Sequence, residues 1–254
     1  MTETVVNVPT GVEGLDELIS GGFPKGRVIL VVGGPGAGKT ILASQFLYKG
    51  IGYGENAVFV SLDESKTNFL AEMAKFGWDF KKAEEEGKFS FLDATRLSRV
   101  AILKEKMLKE EASSLRGKQL QVDKLIEELQ EKIKQINAKR VVLDTLASLF
   151  YRFFEPVERR TASVDLIESL SDLGATVLVT TELAKLGLER NILDEEFLAH
   201  GVIMMQTLFS GGTTTRGLQV EKMRGVNVNT NLVPYTIDKK GIEVYPRMSL
   251  FREK

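Results

Sequence analysis

Six short apolar runs alternate with amphipathic segments along this 254-residue chain, and this alternation constrains its fold more than any other feature. Consecutive Val, Ile, Leu and Phe residues are typical of strands that are buried on both faces of a parallel sheet. The segments 40–51, 66–77 and 159–174 carry apolar residues at helical spacing. The pattern predicts an α/β fold with a doubly wound sheet and right-handed crossovers. The six predicted strands are 27–33, 56–63, 88–94, 138–146, 174–182 and 200–206.

The last part of the chain follows a different pattern. Residues 213–225 and 232–246 alternate polar and apolar side chains with a period of two and contain glycine-centred turns. This alternation predicts antiparallel strands that complete the sheet.

A highly charged segment, 96–139, interrupts the strand pattern. Two interpretations remain open. The segment is a long surface helix that leads into the next strand, or its first half, 99–118, is an additional helical arm that contacts a neighbour or a partner. Its apolar residues lie at helical spacing and are Val122, Leu125, Ile126, Leu129, Ile133 and Ile136.

Composition excludes several classes of protein. The chain has 34 basic and 35 acidic residues, so no global field favours nucleic acid or an anionic membrane, although a local basic groove remains possible. The absence of cysteine excludes disulfides and thiolate metal sites. No apolar stretch reaches the roughly 18 residues that span a bilayer, and the first residues do not resemble a signal peptide. We therefore expect a cytoplasmic protein with no membrane contact.

A glycine-rich turn follows the first predicted strand. Residues 33–40, GGPGAGKT, fit the phosphate-binding pattern G-x-x-x-x-G-K-[ST] between a predicted strand and a predicted helix. Glycines let successive backbone N–H groups curve around phosphate oxygens, and the N-terminus of the helix adds positive potential. Lys39 would contact the β- and γ-phosphates and Thr40 would offer its hydroxyl to Mg²⁺. The alternative is a glycine-rich connector with an exposed lysine. The predicted nucleotide-binding residues are Gly34, Pro35, Gly36, Ala37, Gly38, Lys39, Thr40 and Ile41.

Acidic residues follow two of the other predicted strands. Asp144 comes after 140–143, where a second Mg²⁺-directed residue is expected, although an aspartate here could instead cap a helix. Asp63 and Glu64 end the strand at 56–63. Either acid could orient or deprotonate the attacking water, or the pair could cap the helix that starts near Ser65.

These motifs, in this order, resemble the KaiC-like branch of RecA-fold ATPases in its single-domain archaeal form. The resemblance covers nearly the whole chain, and the ordered set of motifs is more specific than the phosphate-binding turn alone. It is carried by VPTGVEGLDELISGGFPKGRVILVVGGPGAGKT, FVSLDES, RVVLDTLASL, ATVLVTTE, EEFLAHGVIMM, VEKMRG and PYTIDKKGIEVYP.

The resemblance implies a RecA-like P-loop NTPase with a central, mostly parallel sheet, flanking helices and antiparallel C-terminal strands. It implies one ATPase domain over residues 1–254, with the charged helical insertion at about 96–139, and ATP and Mg²⁺ as cofactors. In the family the first acid of the pair is the usual water-activating base. That position is Asp63 here, so either Glu64 takes over or hydrolysis is slow.

The resemblance also implies a site shared between subunits. Thr181 and Glu182 match the position that senses the γ-phosphate, and Glu182 is therefore a predicted nucleotide-binding residue. Lys222 and Arg224 match residues that reach the neighbour's γ-phosphate as an arginine finger does. This requires a ring, and relatives usually form hexamers. No second cationic cluster lies close to the P-loop in sequence, which agrees with a site completed by a neighbouring subunit. The alternative is that Lys222 and Arg224 are a solvated pair on an edge strand.

At two positions the chain differs from the family pattern, and each difference argues against one property of the family. Val228 stands where relatives often have a histidine, so a contact to ribose or phosphate is expected to be missing. Glu196 and Phe197 replace the phosphorylatable Ser-Thr pair of clock kinases, so autokinase activity is not expected. The single histidine, His200, precedes an apolar strand and is expected to be structural.

The leading functional prediction is a Mg²⁺-dependent ring ATPase with a regulatory or signalling role. Its expected partners are further copies of the same chain and an unknown protein. One alternative is a RecA-like DNA-binding ATPase that uses 208–217 with Lys185 and Arg190, but that electrostatic footprint is thin. The other is a scaffold that hydrolyses ATP weakly and signals through 99–118.

Overall fold

The predicted strands form one nine-stranded sheet in a computed structural model of the chain, which describes residues 6–95, 115–150, 155–183, 192–210 and 213–250. A separate two-stranded ribbon joins β1 (Asn7–Val8) to β2 (Phe23–Pro24). The strand order is β11-β10-β9-β8-β3-β7-β6-β4-β5, and β8, β3, β7, β6, β4 and β5 are parallel. The sheet strands are β3 (Val28–Gly33), β4 (Ala57–Ser61), β5 (Phe89–Asp93), β6 (Arg140–Asp144), β7 (Thr176–Glu182), β8 (Gly201–Ser210), β9 (Thr213–Met223), β10 (Val233–Asp238) and β11 (Gly241–Val244).

The antiparallel end of the sheet is also confirmed. Strand β9 pairs with β8, β10 with β9, and β11 with β10, all antiparallel. Together with the parallel strands, this is the mostly parallel, RecA-like α/β fold that the sequence predicts.

Helices cover both faces of the sheet because alternate strand residues enter two separate apolar cores. In β3, Ile29 and Val31 pack in one core, while Val28, Leu30 and Val32 pack in the other. Helices α2, α3 and α4 supply the first core, and α5, α6 and α7 supply the second. The helices are α1 (Leu15–Leu18), α2 (Lys39–Gly52), α3 (Lys66–Ala74), α4 (Phe80–Glu85), α5 (Leu115–Ile136), α6 (Leu146–Phe150), α7 (Pro156–Ser171) and α8 (Asp194–Leu198).

The charged segment is a long helix where the structure describes it. Over 115–136 it forms α5, with Val122, Leu125 and Leu129 buried against the second core, and it leads directly into β6. Residues 96–114 lie outside the described residues, so the helical arm at 99–118 and the extent of the insertion stay predictions. No helix in the described ranges is long and apolar enough to cross a bilayer.

Strand register sets which residues meet. Gly33 pairs with Glu182, and Ser61 pairs with Asp144, so the carboxyl ends of β3, β7, β4 and β6 share one edge of the sheet. At the opposite edge, Gly201 at the start of β8 pairs with Met223 at the end of β9. The two edges are separated by the length of β3, five residue steps or about 16 Å.

A buried arginine joins helix α2 to this sheet. Arg140, at the start of β6, is fully buried and donates to Glu55 Oε2 at 2.6 Å and to the Phe46 carbonyl at 2.8 Å. Its guanidinium lies 4.5 Å from the centroid of the Phe46 ring. The side chain passes directly over Gly50 of α2, where a Cβ would come within 2.2 Å of Arg140 Cδ. The hydrogen bonds hold the arginine in place, so it has little freedom to move aside.

We expect Gly50→Ala to lower the free energy of unfolding by about 1–3 kcal/mol, because the new methyl group overpacks a fixed side chain. Alanine is otherwise the better helix former by about 1 kcal/mol. Gly52→Ala in the same helix is the matched control, because a Cβ there meets nothing within 4 Å. Urea unfolding of the two variants tests this. Equal stability of the two variants would contradict the packing seen at Arg140.

Candidate active site

The glycine-rich turn lies between the end of β3 and the start of α2, as its sequence context predicts. Gly36 and Gly38 have φ angles of +73° and +90°, a left-handed conformation that glycine adopts without steric cost. A Cβ at Gly36 would enter open space, so the loop presents its backbone to solvent. Gly34 and Ala37 are buried, Pro35 is exposed, and Ile41 packs against the core. The turn therefore offers backbone N–H groups and a helix N-terminus, which fit a phosphate chain.

Lys39 folds back over the same turn. Its Nζ donates to the Gly33 carbonyl at 2.9 Å and to the Gly34 carbonyl at 3.2 Å. Burial lowers the pKa of Lys39, while the charges of Glu182 and Asp144 raise it. The ammonium group thus binds the backbone of the loop, and the charges of two acids favour its protonated form.

Asp144 lies beside Thr40. Thr40 Oγ1 donates to Asp144 Oδ2 at 2.8 Å, and Thr180 Oγ1 donates to Asp144 Oδ1. Burial raises the pKa of Asp144, while these two hydrogen bonds and the charge of Lys39 oppose that effect. The described hydrogen bonds of the Asp144 carboxylate go to β7 and α2 rather than to the N-terminus of α6, which argues against the capping alternative.

The Thr40 hydroxyl and the Asp144 carboxylate fit the protein side of a Mg²⁺ site. Magnesium in nucleotide-binding proteins is held by one or two carboxylates, a hydroxyl, waters and the substrate phosphates rather than by a full protein cage. In the part of the chain that the structure describes, no group of three or more His, Cys, Asp or Glu residues could hold a metal ion. A divalent cation here would be held by Thr40 and Asp144 together with phosphate oxygens and water.

The acid pair follows β4 at the same edge. Asp63 Oδ1 accepts a hydrogen bond from Ser148 Oγ on α6, and the Glu64 N–H donates to Ser61 Oγ at 2.9 Å. The side chain that caps α3 is Ser65, which accepts from the Asn68 N–H, so capping does not account for the two acids.

The two acids differ in their surroundings. Asp63 is exposed, whereas Glu64 is partly buried. Burial raises the pKa of Glu64 to about 7, and the nearby charges of Glu72 and Asp144 add to the effect. A carboxyl group with this pKa exchanges protons near neutral pH, which suits a general base.

Glu182 and Thr181 end β7 next to the loop. Glu182 is exposed and pairs in register with Gly33, while Thr181 is buried. The structure thus brings together Lys39, Thr40, Asp63, Glu64, Asp144 and Glu182 at one edge of the sheet.

Lys222 and Arg224 lie at the other edge. Lys222 Nζ and Arg224 Nη2 both donate to the Phe197 carbonyl, at 3.1 Å and 2.8 Å. Arg224 also borders an open cavity of about 450 Å³. The lining residues come from α7 and its C-cap, from α8, and from the ends of β8 and β9: Val164, Ile167, Glu168, Ser171, Asp172, Leu198, His200 and Arg224.

His200 has a structural contact. Its Nδ1 accepts a hydrogen bond from the Val28 N–H at 3.3 Å, which requires that nitrogen to be unprotonated. Burial lowers the pKa of His200, and the charges of Arg27, Arg224 and Lys222 lower it further. The residue holds the start of β8 against β3.

Three side chains that support the site lie within the motifs that carry the family resemblance, but their contacts were not predicted from the sequence. Tyr235 Oη on β10 donates to the Ala37 carbonyl at 2.6 Å, so the C-terminal strands hold the phosphate-binding turn. Ser148 holds Asp63, and Thr180 holds Asp144. Each contact joins residues that are far apart in sequence, and spacing gives no signal for them.

Known proteins are similar to this chain over nearly its whole length. The profile of the KaiC ATPase family matches residues 8–249. The UPF0273 protein of Pyrococcus furiosus is 36% identical over 98% of this chain and 97% of its own length, and that of Methanocaldococcus jannaschii is 36% identical over 94% and 96%. The circadian clock protein KaiC3 of Synechocystis is 31% identical over the whole chain, which spans 48% of that longer protein. A solved structure, a KaiC-like protein from Pyrococcus horikoshii, has a TM-score of 0.79 and 36% identity and covers 96% of this chain and 100% of its own.

Proposed function

Because this chain belongs to the KaiC family of RecA-fold ATPases, we propose that it binds ATP with Mg²⁺ and hydrolyses it in a ring of identical subunits. The observation that carries the proposal is the convergence of six side chains at the carboxyl edge of the sheet. The phosphate-binding turn, the Thr40–Asp144 pair and the acid pair all lie there. Ligands of open α/β sheets bind at this edge.

Each side chain has a proposed role in phosphoryl transfer. The N–H groups of 34–38 and the Lys39 ammonium would bind the β- and γ-phosphates. Thr40 and Asp144 would hold Mg²⁺, which neutralises phosphate charge when it is bound. Glu64 would take the proton of the attacking water, and Asp63, fixed by Ser148, would orient that water. Glu182, beside Gly33, would contact the γ-phosphate.

The cationic pair supports a site completed by a neighbour. Lys222 and Arg224 are separated from their own phosphate-binding turn by the length of β3, about 16 Å, which is more than either side chain can reach. A head-to-tail ring joins two different surfaces of each subunit, and we propose that the amino edge of one subunit faces the carboxyl edge of the next. We propose that the pair acts there as an arginine finger, and that six chains close the ring.

A regulatory role is part of the proposal. The resemblance implies a glutamate at the position of Asp63, and the shorter aspartate is expected to slow hydrolysis even with Glu64 as the base. We propose that this slow hydrolysis changes how subunits meet, in a cytoplasmic protein with an unidentified protein partner.

Nucleic-acid binding is the second candidate function, and one observation favours it. The β8–β9 hairpin exposes Phe209, with 78% of its surface accessible, and Arg216 is exposed on the facing strand. An exposed ring and a cation are the groups that contact single strands. Binding to single- and double-stranded DNA over a salt series tests this role, and affinity that does not depend on salt would exclude it.

Phosphate release with ATP and Mg²⁺, measured alongside native mass, tests the main proposal. We expect turnover and a hexamer with Mg²⁺, and loss of turnover with EDTA, because Thr40 and Asp144 would then lack the ion that neutralises the phosphates. Turnover that persists in EDTA, or a monomeric mass under all conditions, would contradict it.

A further inference from the structure

We infer that helix α8 is the element that positions the cationic pair, and that the half-buried Arg159–Glu195 ion pair holds α8 in place for that purpose. The inference rests on the proposed trans-acting role of Lys222 and Arg224. It assigns a positioning function to three groups outside the nucleotide motifs, namely Arg159, Glu195 and the Phe197 carbonyl.

The first step is the shared acceptor. Lys222 Nζ and Arg224 Nη2 donate to one oxygen, the Phe197 carbonyl, at 3.1 Å and 2.8 Å. Carbonyls in the last turn of a helix lack intrahelical partners and carry partial negative charge, so basic side chains bind there. Two like charges would otherwise move apart. The common acceptor brings them together and restricts two long, flexible side chains to one geometry.

The backbone of Arg224 is tied to the same place. Its N–H donates to the His200 carbonyl at 2.8 Å, and the His200 N–H donates to the Val28 carbonyl at 2.9 Å. Both the main chain and the side chain of Arg224 are therefore fixed by the short segment that runs from α8 into β8. Any shift of α8 would carry the Phe197 carbonyl with it and change the direction of the cationic pair.

The second step is what fixes α8. Arg159 Nη2 on α7 donates to Glu195 Oε1 at 2.8 Å, and the Glu195 side chain is fully buried. The other oxygen, Oε2, has no hydrogen-bond partner among the described residues. Among the described contacts, the Arg159 guanidinium is therefore the group that compensates the buried negative charge of Glu195. A second pair, Arg160 Nη1 to Asp194 Oδ1 at 2.6 Å, lies nearer the surface. The Arg159 side chain is 34% exposed, so this pair is half-buried, and its loss should disrupt α8 more than loss of the surface pair.

The expected consequence is a loss in kcat without a loss in nucleotide affinity. The nucleotide motifs lie at the opposite edge of the sheet, so Glu195→Ala should leave the ATP dissociation constant within about threefold of the wild type. A misplaced catalytic group costs up to about 100-fold in rate, so kcat should fall about 10- to 100-fold. Glu195→Gln keeps a hydrogen-bond acceptor for Arg159 and should retain more activity.

Two matched variants control for the loss of an ion pair as such. Asp194→Asn weakens the surface pair on the same helix, and we expect less than a threefold change in kcat. Glu84→Ala removes a surface pair with Lys66, far from α8, and should change neither kcat nor affinity.

Mixed rings separate positioning in trans from damage to the variant's own site. One chain carries Glu195→Ala, and the other carries Asp63→Asn with Glu64→Gln, so that it lacks the acids but keeps its cationic pair. In a 1:1 mixture a Glu195→Ala site next to an acid-pair variant receives an intact Lys222 and Arg224. We expect about a quarter of the wild-type rate per chain, well above either variant alone.

Mixing Arg224→Ala with the same acid-pair variant distinguishes the two levels of the proposal. If Arg224→Ala is rescued by mixing and Glu195→Ala is not, the role of α8 is wrong and the trans-acting pair stands. If Arg224→Ala loses no activity, or is not rescued in rings of confirmed mass, the proposed trans mechanism fails and this inference fails with it. Rescue of both variants supports both levels.

Discussion

Phosphate release by Arg224→Ala is expected to fall about 10³-fold, because an arginine finger contributes 10³–10⁵ in kcat by stabilising charge on the transferred phosphoryl group. The ATP dissociation constant should stay within about threefold, since Arg224 lies at the edge of the sheet away from its own phosphate-binding turn. A stopped-time phosphate assay and calorimetric titration of ATP measure the two quantities.

Arg247→Ala is the matched control, because Arg247 is an exposed arginine whose described partner is Glu17 at 3.4 Å, and it should behave as the wild type. Both variants should keep the native mass. An Arg224→Ala ring that hydrolyses ATP at the wild-type rate would contradict a finger role for this residue.

Glu64→Gln is expected to lower kcat by about 10²- to 10⁴-fold, because the amide cannot take the proton of the attacking water. In the wild type, burial and the charges of Glu72 and Asp144 raise the pKa of this carboxyl to about 7. Only the deprotonated form is a base. The value of kcat/KM should therefore be low below pH 7 and rise as pH increases through about 7.

Glu72→Gln tests the cause of that pH dependence. Glu72 is exposed on α3 and its charge disfavours ionisation of Glu64, so its removal should move the rise of kcat/KM to lower pH while leaving the plateau unchanged. Asp63→Asn should cost less than Glu64→Gln, because the amide can still accept from Ser148. A larger loss in Asp63→Asn would assign the base to Asp63 instead.

The parts of the fold that sequence predicts are those encoded by local pattern. Each of the six apolar runs became a strand, because Val-, Ile- and Leu-rich segments buried on both faces leave few other choices. Strand β8 extends to Ser210, beyond the predicted end at 206, since its last residues pair with β9 in a hairpin and are not covered by helices. Helix α4 was not predicted, because six residues capped by Asp79 carry too little periodicity.

In the candidate site, too, local pattern predicts some features and leaves others unpredicted. The phosphate-binding turn and the placement of Asp63, Glu64 and Asp144 follow from strand ends in a parallel sheet, where carboxyl ends share one edge. The contacts that hold these groups do not follow from spacing. Tyr235 reaches Ala37 across 198 residues, and Lys222 on β9 reaches Phe197 on α8. Such pairs depend on register and packing, which no single segment encodes.

The role of the charged pair at positions 222 and 224 does not follow from the sequence alone. As a sequence it fits either a solvated edge or a catalytic pair. In the fold its two side chains meet at one carbonyl, beside an open cavity at the amino edge of the sheet. Because the pair lies too far from the phosphate-binding turn of its own subunit, its proposed site of action is on a neighbouring subunit.

The most direct test of the central claim, that the turn at 33–40 binds and hydrolyses ATP, is the comparison of the wild type with Lys39→Ala. Calorimetric titration of ATP in Mg²⁺ and phosphate release from the same preparations should show binding and turnover in the wild type and loss of both in Lys39→Ala, with unchanged thermal stability. Equal affinity and equal rates in the two proteins would show that nucleotide chemistry does not occur at this turn.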